Sequence, residues 1–241
     1  MFTIFKKEVN SFLSSLVGYV VMAVFLLAMG LLVWIFPDTS VLNSGYADLA
    51  TFFNLAPYVF LFLVPAITMR SIAEERKIGT LELLFTKPLT EWQLVIGKFL
   101  AACFLIFLAL VPTLIYYYSV YQLGNPVGNI DSASVQGSYI GLFLLGCVFA
   151  AIGLFTSSLT DNQIIAFLLG VFISFLLYVG LSSVAGLEVW NGAAYWLGWL
   201  GLDTQYNALG RGLIDSRNII YFLSLITLAL AGTRWKLTQR E

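Results

Sequence analysis

Histidine is absent from these 241 residues, and Asp, Glu, Lys and Arg together make up only 10% of them. The missing imidazole removes most zinc sites, haem ligation through histidine and the usual general base. There are two cysteines, Cys103 and Cys147, each inside an apolar run. They read as small buried hydrophobes, and no disulfide framework follows from them. No G-x-x-x-x-G-K-[ST] pattern occurs, so a phosphate-cradling loop is missing as well. A net charge of −1 leaves no basic patch to meet the phosphates of a nucleic acid.

What the sequence has in abundance is apolar surface: 60% of residues are hydrophobic and the mean hydropathy is +0.91. Soluble domains are about 45–50% apolar and about 25% charged, so water is not the main solvent of this chain. Apolar runs fall near 16–36, 54–70, 97–121, 137–159, 163–185 and 218–233, each near the ~20 residues that a span requires. The expected fold is therefore an all-α integral membrane protein of six spans, organised as a single domain over 1–241. Lys6 and Lys7 precede an apolar run longer than a secretory signal, so the first run reads as a retained span.

Six spans put both termini on one side, and the Lys/Arg bias decides which. Lys6, Lys7, Arg70, Arg76, Lys77, Lys87, Lys98, Arg234, Lys236 and Arg240 share the side of the termini; only Arg211 and Arg217 lie opposite. Both ends are expected to be cytoplasmic. Trp92 and Trp235 then sit at the inner boundary, with Trp34, Trp190, Trp196 and Trp199 at the outer one. In the first dozen residues, Phe2, Ile4, Phe5, Val9 and Phe12 alternate with Lys6, Lys7, Glu8 and Asn10 at helical spacing. An interfacial helix over 1–14 fits this pattern; the alternative is a charged flank to the first span. On the outer side, 37–53 and 122–136 have turn composition. The segment 186–217 is too apolar for a solvated loop and too short to span, which suggests a re-entrant or interfacial hairpin or else a surface helix capped by aromatics.

The densest group of charged residues falls in the loop over 71–92 and its approach. Span two continues through Arg70 to Lys77, where Glu74, Glu75, Arg76 and Lys77 form a charged end, and Gly79 is suited to a left-handed C-cap. Thr80 is expected to N-cap a short helix with Glu82 in its first turn. Leu81, Leu84 and Phe85 fall on one face of it, and Pro88 stops it. Thr90-Glu91-Trp92-Gln93 is a capping-box pattern that opens span three. The apolar edge of the short helix lies either against the membrane or in a groove on a cytoplasmic protein.

Ile67-Thr68-Met69-Arg70-Ser71, Ala73-Glu74-Glu75-Arg76, Gly79-Thr80-Leu81-Glu82-Leu83-Leu84 and Pro88-Leu89-Thr90 together resemble the hallmark loop of ABC-2 type transporter permeases. The stretch from Gly153 to Gln163 resembles that family's turn between spans four and five. Within the family, the chain is most similar to the gliding-motility-associated ABC transporter permease subunit of Bacteroidota, with the nitrous-oxide-reductase maturation permease a close cousin. The resemblance implies a dimer of permease copies on two ABC ATPase subunits, a companion membrane-anchored auxiliary subunit, and bacterial inner-membrane location. ATP and Mg would be bound by the ATPase, with no cofactor or metal in this chain and no catalytic residue. It makes 80–87 the coupling helix and assigns ATPase coupling to Arg70, Glu74, Glu75, Arg76, Gly79, Thr80, Leu81, Glu82, Leu84, Phe85 and Pro88. Asp161, Asn162 and Gln163 are a second candidate ATPase contact, against the plainer reading that with Thr160 they cap the start of span five.

Span interiors read as nearly free of ionisable groups, where an ion-coupled carrier would be expected to keep some. This favours an ATP-powered or non-transporting role and shows no substrate site. A Glu-Glu intramembrane protease is disfavoured by the lack of polar catalytic groups and histidine. A scaffold that couples an ATPase to a motility or secretion assembly predicts the same loop and stays open. Gly141, Gly146, Ala150 and Gly153 in span four permit close helix packing, with dimer interface and internal bundle as the two alternatives.

Overall fold

The computed structural model describes residues 2–85, 90–186, 198–212 and 215–239, and every regular element among them is helical. With no water available in a bilayer core, backbone donors and acceptors must be satisfied within the segment, which a helix does. Span one is α2 (Leu16–Trp34), preceded by α1 (Phe2–Leu13), which is bent 67° away from it. Span two is α3 (Ala50–Thr68) continued by α4 (Arg70–Ile78), and a short α5 (Thr80–Phe85) follows. Span three joins α6 (Glu91–Leu110) to α7 (Leu114–Leu123) through a tighter turn at Val111–Thr113 that contains Pro112. Span four is α8 (Ser132–Leu159), and span five runs from α9 (Gln163–Phe175) through a widened turn at Leu176–Gly180 into α10 (Leu181–Ala185). After the outer segment, which contains α11 (Leu202–Leu209), span six is α12 (Ser216–Thr238). Five of these spans meet the length and apolarity of a membrane crossing on their own, and the bent pair α1–α2 supplies the sixth.

Burial ranks the spans. The most apolar window of span four is 78% buried, while those of spans five and six are 22% and 33% buried, so α8 is the spine and the others surround it. Phe52 and Phe60 from α3, Leu142, Leu145 and Phe149 from α8, and Phe222 from α12 are fully enclosed. Phe25 of α2 meets Phe60 with ring centroids 5.2 Å apart. Outward-facing Leu27, Ile164, Leu168, Phe172, Ile220 and Leu228 remain exposed, as suits a surface solvated by acyl chains.

The small residues of span four serve the internal bundle. A Cβ added at Gly153 would lie 1.9 Å from Thr68 Oγ1 and 3.6 Å from the Cα of Pro65. One at Gly146 would meet Ile106 at 2.9 Å and Phe60 at 3.2 Å. Close approach of this kind replaces the hydrophobic drive that is missing between helices in lipid. At the outer end Gly137 and Gly141 admit α11, with the Leu209 carbonyl oxygen 2.3 Å from a Cβ built on Gly137.

Leu202, Gln205, Tyr206 and Leu209 form the buried stripe of α11, the i, i+3, i+4, i+7 pattern of an amphipathic helix. Tyr206 donates to the Phe53 carbonyl at 2.8 Å, and Ser134 donates to the Gly210 carbonyl at 2.6 Å. Burial pushes the Tyr206 phenol well above its ordinary pKa. So part of the 186–217 segment packs on the bundle as a helix. Residues 187–197, including Trp190 and Trp196 of the expected hairpin, lie outside the described residues.

Replacing Gly153 by Ala should lower stability by about 1–3 kcal/mol, the cost of overpacking a tight contact, read as a lower midpoint of thermal unfolding in detergent. Adding Thr68→Ala should recover part of the loss, because the Thr68 hydroxyl is the atom in the way. An unchanged midpoint in Gly153→Ala would show that α3 and α8 are not in close contact.

Candidate functional site: the charged end of spans two and three

The site begins at a discontinuity in span two. α3 closes at Thr68 and α4 resumes at Arg70, while Met69 between them keeps helical dihedrals and donates its N–H to the Pro65 carbonyl at 2.8 Å. Ser157 of α8 fills the gap. Its hydroxyl accepts from the backbone N–H of Ile72 at 3.1 Å and of Ala73 at 3.0 Å, and donates to the Met69 carbonyl at 2.9 Å. A buried serine thus stands in for part of the helical ladder, so the orientation of α4 is fixed from outside its own helix.

α4 ends at Gly79, whose φ of 77° and ψ of 6° are the left-handed C-cap expected there. Thr80 is the first residue of α5, and its hydroxyl donates backwards to the Glu75 carbonyl at 3.2 Å, satisfying an end of α4. Glu82 occupies the first turn of α5 and is exposed. Leu81 is buried at 4% exposure, so its side chain belongs to the core and not to an outward docking edge. The side chains of Leu84 and Phe85, and residues 86–89 with Pro88, lie outside the described residues.

The strongest feature at this end is Lys98, about two turns into α6. Its side chain is 1% exposed, and its ammonium reaches Glu8 Oε1 at 2.8 Å, Glu75 Oε2 at 2.9 Å and the Ser71 carbonyl at 2.7 Å. The contacts to Glu8 and to the Ser71 carbonyl are hydrogen bonds, and the one to Glu75 is an ion pair. Lys7 lies at 3.2 Å from the other oxygen of Glu75, nearer the surface. Two lysines and two glutamates therefore form a neutral cluster that ties α1, α4 and α6 together. Coulomb attraction rises as the dielectric falls, yet a buried ion pair only offsets its desolvation when every partner is in place.

Other charged groups sit further out. Arg70 and Glu74 form an i, i+4 pair at 3.7 Å, both about 40% exposed, and Arg76 and Lys77 occupy the last turn of α4, where the helix dipole favours cations. Thr90 and Gln93 make the expected capping box, with both reciprocal bonds at 3.3 Å. Beside it, Arg234 of α12 contacts Glu91 at 3.2 Å and lies 5.2 Å above the Trp92 ring, while Thr238 donates to Glu91 at 2.8 Å. The C-terminal helix therefore finishes at the same end as α1 and the 70–98 segment. Across the bundle, Asn162 caps α9 by accepting from Ile164 N–H at 2.9 Å, and Thr160 accepts from Asn162 N–H at 3.1 Å. Asp161 is exposed and Gln163 half-buried; the plain capping role is the geometry seen here.

Sequence reasoning placed Lys98 among the loop charges and gave Glu8, Lys7 and Ser157 no site role. A lysine falling inside an apolar run, at 97–121, was the available signal, because such a residue must find a buried partner.

The structure so far defines a multi-pass helical membrane protein whose second span projects a braced, charged lever and a short following helix. Residues 35–200 match the family model described as ABC-2 family transporter protein, and the chain belongs to that family. It is 32% identical over 138 residues to the probable multidrug ABC transporter permease YbhR of Escherichia coli K12, a match covering 56% of this chain and 36% of that protein. Over 158 residues it is 32% identical to the probable ABC transporter permease protein NosY of Pseudomonas aeruginosa PAO1, covering 62% of this chain and 56% of that one. The matched stretch thus spans about a third of the first relative and just over half of the second.

Replacing Lys98 by Met should cost about 3–5 kcal/mol, since it strands two carboxylates with little access to water. Adding Glu8→Gln and Glu75→Gln to Lys98→Met should restore a large part of it. Unfolding midpoints of the single and triple variants in detergent check this, and equal midpoints for the two would argue against a buried cluster.

Proposed function

We propose that this chain is the membrane-spanning permease subunit of an ATP-driven ABC transporter of the bacterial inner membrane, with both termini cytoplasmic. In this reading it pairs with a second permease copy and rests on two separate ATPase subunits, which bind ATP and Mg. The observation that carries it is the bracing of α4. Ser157 fixes its root, Lys98 locks its flank, and Gly79 turns the chain into α5 at its tip. A helix held at three points transmits displacement as a rigid body, which is what coupling to a moving partner requires. Arg70, Glu74, Glu75, Arg76, Gly79, Thr80, Glu82, Leu84, Phe85 and Pro88 are the coupling segment in this proposal. Leu81 contributes by seating α5 on the core, and Asp161, Asn162 and Gln163 offer a second contact nearby.

The family membership and the relatives' description as ABC transporter permeases support the transport reading. A gliding- or secretion-related process served with a membrane-anchored auxiliary subunit is the finer form of the proposal. It rests on the resemblance of the chain as a whole to the gliding-motility-associated permease subunit. The resemblance to the nitrous-oxide-reductase maturation permease gives a cofactor-maturation permease the same footing, and a non-transporting scaffold would use the same lever.

Ile78 is 65% exposed at the tip of α4 and Glu82 is exposed on α5. Ile78→Arg combined with Glu82→Lys should reduce co-purification of an ABC-type ATPase, and its associated ATP hydrolysis, by about tenfold from host membranes solubilised in mild detergent. That loss corresponds to roughly 1.4 kcal/mol. The same yield of ATPase from parent and variant would sink the assignment of this tip as the coupling contact.

A further inference from the structure

Between α1 and α4, on the open side of the Lys98 cluster, lies a cleft of about 380 Å³. Its charged lining balances, with Lys7, Lys98 and Arg70 against Glu8, Glu74 and Glu75. These groups are not equally engaged. Lys98 donates to Glu8 and to the Ser71 carbonyl and pairs with Glu75 at 2.9 Å, whereas Arg70 and Glu74 stand 3.7 Å apart, too far for a hydrogen bond. The Nε of Arg70 is screened from solvent and has no hydrogen-bond acceptor. A desolvated guanidinium donor without an acceptor is costly, and a phosphate oxygen is the acceptor that its planar fork fits.

The surroundings of the cleft are amphipathic. Ser11 and Ser15 line it at the elbow where α1 gives way to the first span. Phe12 lines it too, and its other side closes on Gly18, Val21, Met22, Ile67 and Leu105 with a crevice of only about 10 Å³, too small for an acyl chain. Leu16, Tyr19 and Val20, just past the elbow, are exposed. A polar cleft that continues into apolar surface at the start of a span suits a ligand with a charged head and an apolar tail. A water-soluble phosphate compound would leave the apolar continuation unused.

We propose that this cleft binds the headgroup of a zwitterionic phospholipid bearing a primary ammonium, of the phosphatidylethanolamine class. The phosphodiester meets Arg70, with Lys7 beside it, and the ammonium meets Glu74. The pair at 3.7 Å is thus opened to hold both ends of a dipolar headgroup, which keeps the cleft neutral. The proposal is independent of whether α4 couples to an ATPase.

The test is native mass spectrometry and thermal unfolding of the delipidated full chain in detergent. It is titrated separately with phosphatidylethanolamine, phosphatidylcholine, phosphatidylglycerol and water-soluble phosphoethanolamine. Phosphatidylethanolamine should be retained most strongly and should raise the unfolding midpoint most. Arg70→Gln should weaken its retention about tenfold, in line with loss of a hydrogen bond to a charged group, while Arg70→Lys should retain part of it. Glu74→Gln should bring phosphatidylethanolamine down to the level of phosphatidylcholine, a readout that survives even if Arg70→Gln folds poorly. Equal retention of phosphatidylglycerol and phosphatidylethanolamine, unaltered by Glu74→Gln, overturns the proposal. Phosphoethanolamine alone stabilising the protein as much as the intact lipid also overturns it, in favour of a free phosphate compound.

Discussion

The charged end of this molecule is organised around one buried ammonium group. Lys98 donates to Glu8 Oε1 and to the Ser71 carbonyl and forms an ion pair with Glu75, which brings α1 and two turns of α4 to one side chain of α6. Such an arrangement tolerates little displacement. Moving α1 or α4 by an ångström would lengthen a charge-assisted bond while leaving the lysine as buried as before. The cluster therefore sets a geometric standard that three helices must meet together. This explains why α1 turns sharply off the first span instead of continuing it: Glu8 has to reach a lysine 90 residues away in sequence.

Span four answers the same requirement from the other side. It is the most enclosed helix, and its glycines let α3 and α11 approach its backbone. One turn beyond Gly153, its Ser157 hydroxyl enters the ladder of span two where that ladder is broken. The root of α4 is thus held by hydrogen bonds to the spine, and the middle of α4 by ion pairs to α6. Hydrophobic burial alone supplies neither constraint, because lipid competes for apolar contact as well as a neighbouring helix does.

How much of this was legible in the sequence followed from how local each feature is. The six spans, the Gly79 turn, the Thr90 capping box and the Asn162 cap are decided within four residues or within one apolar run, and each is present. Features that depend on distant partners were read wrongly or not at all. The bond from the Thr80 hydroxyl back to the Glu75 carbonyl has no signal in the local pattern. Leu81 looks like part of an exposed edge until α5 folds back on the bundle. Lys98 was counted among cytoplasmic charges because a positive-inside argument assigns sides and not depth. The spacing of Gly141, Gly146 and Gly153 announced close packing but could not say against what, since one helix carries no information about its neighbour.

The charged end has two ties of unequal strength. The Lys98 cluster is buried, and dismantling it costs about 3–5 kcal/mol. The clasp between Arg234 and Glu91 is 47% and 29% exposed on its two sides, a situation worth about 0–1 kcal/mol. Its stacking on Trp92 adds about 0.5–1 kcal/mol. The first tie makes α1, α4 and the start of α6 one unit, and Ser157 also holds that unit to α8, the helix on which span six packs as well.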